Sequence, residues 1–245
     1  MSKTQPETCN LQPATQNPQP AIGTLNEASL HAALKTWYAE PDDRLEVPVD
    51  GFVVDIVRGD LLIEIQTGNF SSIKHKLRTL TEEHPVRLVY PVARNKWLVK
   101  LPRDGEGDPR RRKSPKHGTC AHLFDELVSL PRLLNRANFT VEVLLIHEEE
   151  VRRYVGNRAW RRRGWATEER RLLEVVDRRL FASPADLACL IPADLAEPFT
   201  TADLADAIGE QRRLAQKMAY CLRKMHVLTP VDKRGNAILY VRRQT

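Results

Sequence analysis

The hydrophobic pattern changes period along the chain, and each change marks an element. Leu30, Leu34 and Trp37 recur at helical spacing over Thr24–Tyr38, with Thr24 placed to cap and Glu27 to complete a capping box. Pro41-Asp42-Asp43 breaks that helix. Leu45–Val49, Phe52–Val57 and Leu61–Thr67 follow as apolar stretches of strand length. Asn69 then caps a second predicted helix with inner face Phe70, Ile73, Leu77 and Leu80, and Val86–Val92 and Lys96–Leu101 read as two more strands. The order αβββαββ predicts an α/β domain with a helix crossing between strands. A helix over Ala121–Leu130 and a strand over Phe139–His147 close it near residue 150.

Residues 103–118, rich in Gly, Pro, Arg and Lys, predict a mobile basic loop. The Arg-rich stretch Arg152–Arg171, with Trp160 and Trp165, predicts a linker over residues 151–167 or a helix leading onward. Beyond about Glu168 the pattern is helical: Leu172–Phe181, Ala185–Leu190, Thr201–Ile208 and Arg212–His226, then an alternating Val231–Arg243. These elements predict a second domain over residues 168–245. Residues 1–23, rich in Gln, Pro, Thr and Asn without an apolar core, predict a disordered leader and not a signal peptide.

Composition narrows the functional classes. With 42% hydrophobic residues the chain is ordinary for a globular protein, and no apolar run is long enough to cross a bilayer. Its four cysteines, Cys9, Cys120, Cys189 and Cys221, are scattered, which excludes a zinc ribbon and a disulfide framework and fits a reducing cytoplasm. His117, Cys120 and His122 form HxxCxH, but no fourth ligand accompanies them. The net charge of +6 concentrates in Arg110-Arg111-Arg112-Lys113 with Lys116, in Arg152–Arg171, and near the C-terminus. Such clusters suit a polyanion, because each neutralised phosphate releases condensed counterions.

The candidate chemistry lies between Asp50 and Gln66. Two apolar strands flank Gly59-Asp60, the pair a two-residue type II′ turn needs. That turn fixes the register: Arg58 faces Leu61, Val57 faces Leu62, and Asp55 faces Glu64, with Gln66 on the face of Glu64. Facing carboxylates repel unless a hard cation sits between them, and Mg²⁺ takes carboxylate oxygens and water. Here the sequence resembles the PD-(D/E)XK nuclease superfamily, whose core is αβββαβ and whose signature is an acid on the second strand and (D/E)xK on the third. The resemblance implies a restriction-endonuclease-like core with a mixed sheet. It makes Asp55 and Glu64 ligands of Mg²⁺ or Mn²⁺, Ile65 a carbonyl donor, and Glu27 the acid of the first helix. The lysine position holds Gln66, and Lys74 on the following helix is the candidate replacement.

Further along, Thr200 or Thr201 caps a short helix that Gly209 ends. On the next helix Arg213, Lys217, Tyr220 and Lys224, beside Gln216, oppose an apolar face, and Lys233-Arg234 lie near the Gly-Asn tip of the final hairpin. This layout resembles a winged helix-turn-helix, with a recognition helix for the major groove and a wing for phosphates. The resulting expectation is a cytoplasmic, Mg²⁺-dependent deoxyribonuclease that uses no membrane and is free to form a homodimer. Arg110, Arg111, Arg112, Lys113 and Lys116 join the C-terminal residues in holding DNA. The rival readings are a non-catalytic DNA-binding regulator on a decayed nuclease fold, and an RNA-binding module. The last calls for stacking aromatics, which are 6% of the chain.

Overall fold

A computed structural model describes residues 28–103, 105–156, 159 and 162–243; the predicted leader, Thr24, Glu27 and Trp160 lie outside the described residues. Helix α1 (Ala28–Tyr38) leads into a meander of β1 (Arg44–Val49), β2 (Phe52–Arg58) and β3 (Leu61–Ile65). The Gly59-Asp60 turn forms with Gly59 at φ +54°, and the ladder pairs Arg58 with Leu61 and Val57 with Leu62, as the spacing predicts. Helix α2 (Lys74–Glu83) carries the chain to β4 (Val86–Lys100), parallel to β3. The sheet order is β1-β2-β3-β4-β6-β7, with β6 (Phe139–Tyr154) parallel to β4 and β7 (Trp165–Phe181) antiparallel to β6. The fold is therefore α/β with a mixed sheet.

The two faces bury separate clusters. Leu30, Leu34 and Tyr38 of α1 pack on Ile56, Ile63, Ile65, Leu144 and Ile146. Leu77 and Leu80 of α2 lie on the other face with Val57, Leu62, Leu88 and Val141. That second cluster continues without a break into Leu204, Leu214, Met218 and Leu222 of the C-terminal helices. These belong to α5 (Thr201–Ile208) and α6 (Arg212–Lys224), which follow the short α4 (Pro184–Ala188) and precede the hairpin β8–β9 (Leu228–Arg234, Ala237–Arg242). Thr200 caps α5 through a capping box with Asp203, and Gly209 ends it at φ +66°.

Several expected elements differ, each for a tertiary reason. The two strands expected over residues 86–101 are one, kept continuous by β6, with only a register shift between Ala93 and Asn95. Leu172–Phe181 is strand and not helix, because β7 pairs along its length with β6 and charge neighbours such as Glu148 and Arg170 meet across the pair. The expected linker 151–167 accordingly holds the end of β6 and the start of β7. The expected basic loop contains β5 (Arg110–Lys113), which pairs with Trp97–Lys100 of β4. The expected helix after Ala121 shrinks to a 3₁₀ turn, Cys120–Leu123, and the single turn α3 (Phe124–Leu127). Helix α2 starts at Lys74, later than expected, because Asn69 adopts φ +55° and residues 70–73 form turns before it.

Candidate active site

Asp55 and Glu64 sit in the middle of β2 and near the end of β3, where the backbone ladder between those strands stops after the Ile56–Ile63 pair. The reason is local. The Asp55 carboxylate accepts a hydrogen bond from the Ile65 backbone N–H at 2.9 Å, standing in for a strand partner. The same oxygen lies 3.1 Å from His31 Nε2 of α1. Glu64 is only 4% exposed, and its Oε1 lies 2.6 Å from the Lys76 ammonium of α2. Lys76 also donates to the Val53 carbonyl at 2.6 Å. Each acid thus takes one cationic or ionisable partner from a helix, Asp55 from α1 and Glu64 from α2.

The electrostatics separate the two acids. Burial pushes Glu64 up to about 7, against the ion pair with Lys76 and with help from the charge of Asp55. Burial also works on Asp55, but the His31 and Ile65 hydrogen bonds outweigh it and hold Asp55 below its ordinary value. His31 is raised, chiefly by its bond to Asp55. Near neutral pH the pair therefore carries one firm negative charge and one that titrates.

The structure gathers some of the expected residues and not others. Asp55 and Glu64 are joined by His31 and Lys76, neither of which was expected. Lys76, not Lys74, reaches Glu64: Lys74 stands four residues beyond Phe70, but Phe70 precedes the helix, so that spacing has no helical meaning. Lys76 flanks the buried Leu77 and lies one turn before the buried Leu80, and so borders the face turned to the sheet. Gln66 is not part of the cluster, because its side-chain amide donates to the Gly68 carbonyl of its own loop. Ile65 contributes its backbone N–H to Asp55. Glu27 lies outside the described residues. His31 stands four residues after Glu27, so the helical spacing that singled out Glu27 also marks position 31.

Among the described residues no three His, Cys, Asp or Glu side chains are grouped to hold a metal, and His122 of the HxxCxH segment turns to Thr119 and Glu210. Asp55 and Glu64 still match the donors Mg²⁺ asks for, since that ion uses one or two carboxylates and keeps its waters. Glu64 Oε1 is taken by the Lys76 ammonium at 2.6 Å, so the donors open to such an ion are the remaining carboxylate oxygens.

The basic residues divide as well. Arg110, Arg111, Arg112, Lys113 and Lys116 are all exposed, though Arg111 pairs with Glu149 at 2.5 Å and lies over the Trp97 ring, as does Lys113. On α6, Arg213, Gln216 and Tyr220 are exposed, and Lys224 lies over the Tyr220 ring. Lys217 faces inward, binding Asp125 of α3 at 2.7 Å, and so docks α6 to the sheet domain. Lys233 and Arg234 are exposed at the hairpin tip, Arg234 within 3.8 Å of Asp203. No helix among the described residues is long and apolar enough to cross a membrane.

Comparison with known proteins adds a family. The profile described as "Domain of unknown function (DUF8091)" matches residues 28–182, from the start of α1 to the end of β7. An uncharacterized protein of Treponema pallidum (strain Nichols) is 33% identical over 223 residues, covering 89% of this chain and 86% of the relative. No solved structure matches.

Proposed function

We propose, for a chain that belongs to the DUF8091 family, that Asp55, Glu64 and Lys76 form the site of a metal-dependent phosphodiesterase acting on DNA. The observation that carries this reading is the Lys76 ammonium 2.6 Å from a buried acid on the third strand of an αβββαβ core. It supplies from α2 the cation that Gln66 fails to supply on β3, in keeping with the PD-(D/E)XK resemblance. Asp55 and Glu64 would hold Mg²⁺ or Mn²⁺, which when bound lowers the pKa of water and offsets charge on the attacked phosphate. His31 orients Asp55 through its 3.1 Å contact, and the Ile65 N–H fixes the same carboxylate. Lys76, on a flexible stem, holds water and phosphate beside Glu64. The α5–α6–β8–β9 unit, read as a winged helix, brings the exposed Arg213, Gln216, Lys233 and Arg234 to the duplex.

A second reading has its own support. Asp55, Glu64 and Gln66 already have intramolecular partners, which suits a DNA-binding protein that has lost its chemistry. Incubating the full chain with linear, circular and branched DNA in Mg²⁺ or Mn²⁺ separates the two. The proposal expects Asp55→Asn, Glu64→Gln and Lys76→Ala each to lower cleavage by about 10² or more, while Lys74→Ala stays active. An inert wild type that binds DNA with a steep salt dependence would establish the second reading instead.

A further inference from the structure

Strand β4 is longer than its neighbours on one edge. β3 pairs with it only as far as Val89, and β5 takes up the same edge only from Trp97. A cavity of about 610 Å³ opens against the stretch between them. It is of the size of small-molecule sites. One wall is apolar, formed by Tyr90, Pro91, Val92 and Leu98.

The charges inside are not balanced. Glu148, fully buried, has Lys96 at 2.8 Å and Arg170 at 2.6 Å. Glu150 pairs with Lys96 and Arg152; burial opposes its ionisation, yet these cations hold it down at about 2. Asp125, the remaining acid of the lining, is taken by Lys217. Arg112 and Lys116 also line the cavity, and neither has a carboxylate partner among the described residues. The interior acids thus serve to fix interior cations, and the positive charge left over stands at Arg112 and Lys116. An anionic group with an apolar body is the complement of such a cavity.

We propose that this cavity takes the terminal mononucleotide of a nucleic-acid strand, its phosphate on Arg112 and Lys116 and its sugar and base along Tyr90–Val92. The assignment rests on the phosphodiesterase reading for its choice of ligand. Thr67, three residues beyond Glu64, lines the cavity, and Phe70 of the same loop meets the Tyr90 ring edge-on at 5.0 Å. A strand held there by its end continues toward Glu64, which makes the reaction one that starts from an end.

The test is calorimetry on the full chain in EDTA with deoxyadenosine 5′-monophosphate, deoxyadenosine and inorganic phosphate. The monophosphate should bind at least about tenfold more tightly than either of the others, as expected for charged hydrogen bonds to one phosphate added to apolar contact. Arg112→Ala with Lys116→Ala should lower its affinity by about tenfold or more, and Lys116→Ala alone, in an exposed segment, should lower it in part. Asp55→Asn should leave it unchanged. Equal binding of nucleoside or of phosphate, indifference to the cation variants, or no binding at all would overturn the proposal. Nucleotide binding by a chain that cuts no DNA would uphold the cavity and sink the phosphodiesterase reading; cutting without nucleotide binding would do the reverse.

Discussion

Glu64 concentrates the chemistry of the candidate site in one side chain. Its ordinary value of 4.5 rises to about 7 in the folded chain, so between those limits the folded state binds more protons than the unfolded one. Its contribution to stability is therefore fully present below 4.5 and lost as the pH rises through 7. Metal-free protein melted across pH 4.5–8 should lose midpoint temperature over that window, and Glu64→Gln should flatten the loss. Identical profiles for both proteins would remove the raised value. Uptake of Mn²⁺ should strengthen above pH 7 in the same protein, because the ligand must first release its proton.

At the scale of elements, one close approach shapes the cavity wall. A Cβ on Gly118 would meet the Ala93 carbonyl oxygen at 2.4 Å and Val92 Cγ1 at 2.6 Å, and Gly118 N–H already donates to that carbonyl at 2.9 Å. The backbone oxygen cannot swing aside as a long side chain would. Gly118→Ala should cost about 1–3 kcal/mol in urea unfolding, and an unchanged midpoint would show that the segment simply shifts. The meander, the Gly59-Asp60 turn, α5 with its cap and the final hairpin were legible because short-range rules fix them: turn residues, alternation and capping. What was not legible depends on distant pairing. β7 has the spacing of a helix and is a strand because β6 lies alongside it. Arg110–Lys113 has loop composition and is a strand because β4 extends past β3. Within the candidate site, the turn set the register only as far as the Ile56–Ile63 pair, one short of the expected facing of Asp55 and Glu64. His31 and Lys76 needed the phase of two helices, and for α2 that phase depended on a start set by the left-handed Asn69.

At the scale of the molecule, the family match ends with β7, yet the apolar cluster on the α2 face does not. It runs on through Phe181, Leu187, Leu214 and Leu222, and the Lys217–Asp125 pair closes over it. The full chain should therefore melt in one cooperative calorimetric transition, with Lys217→Ala lowering its midpoint while leaving DNA affinity intact. Two separated transitions would show that the C-terminal helices keep a core of their own. Strand β5 carries a different implication for the protein in company. Its pairing with β4 uses one edge, and all four of its residues, Arg110–Lys113, are exposed cations. An open strand edge is a template for a second chain, and a row of like charges keeps two such edges apart. A polyanion laid along β5 would cancel the charge that enforces that separation. Copies brought together on such a polyanion would then meet edge to edge, so the four side chains that hold two free edges apart would cease to do so once it is bound.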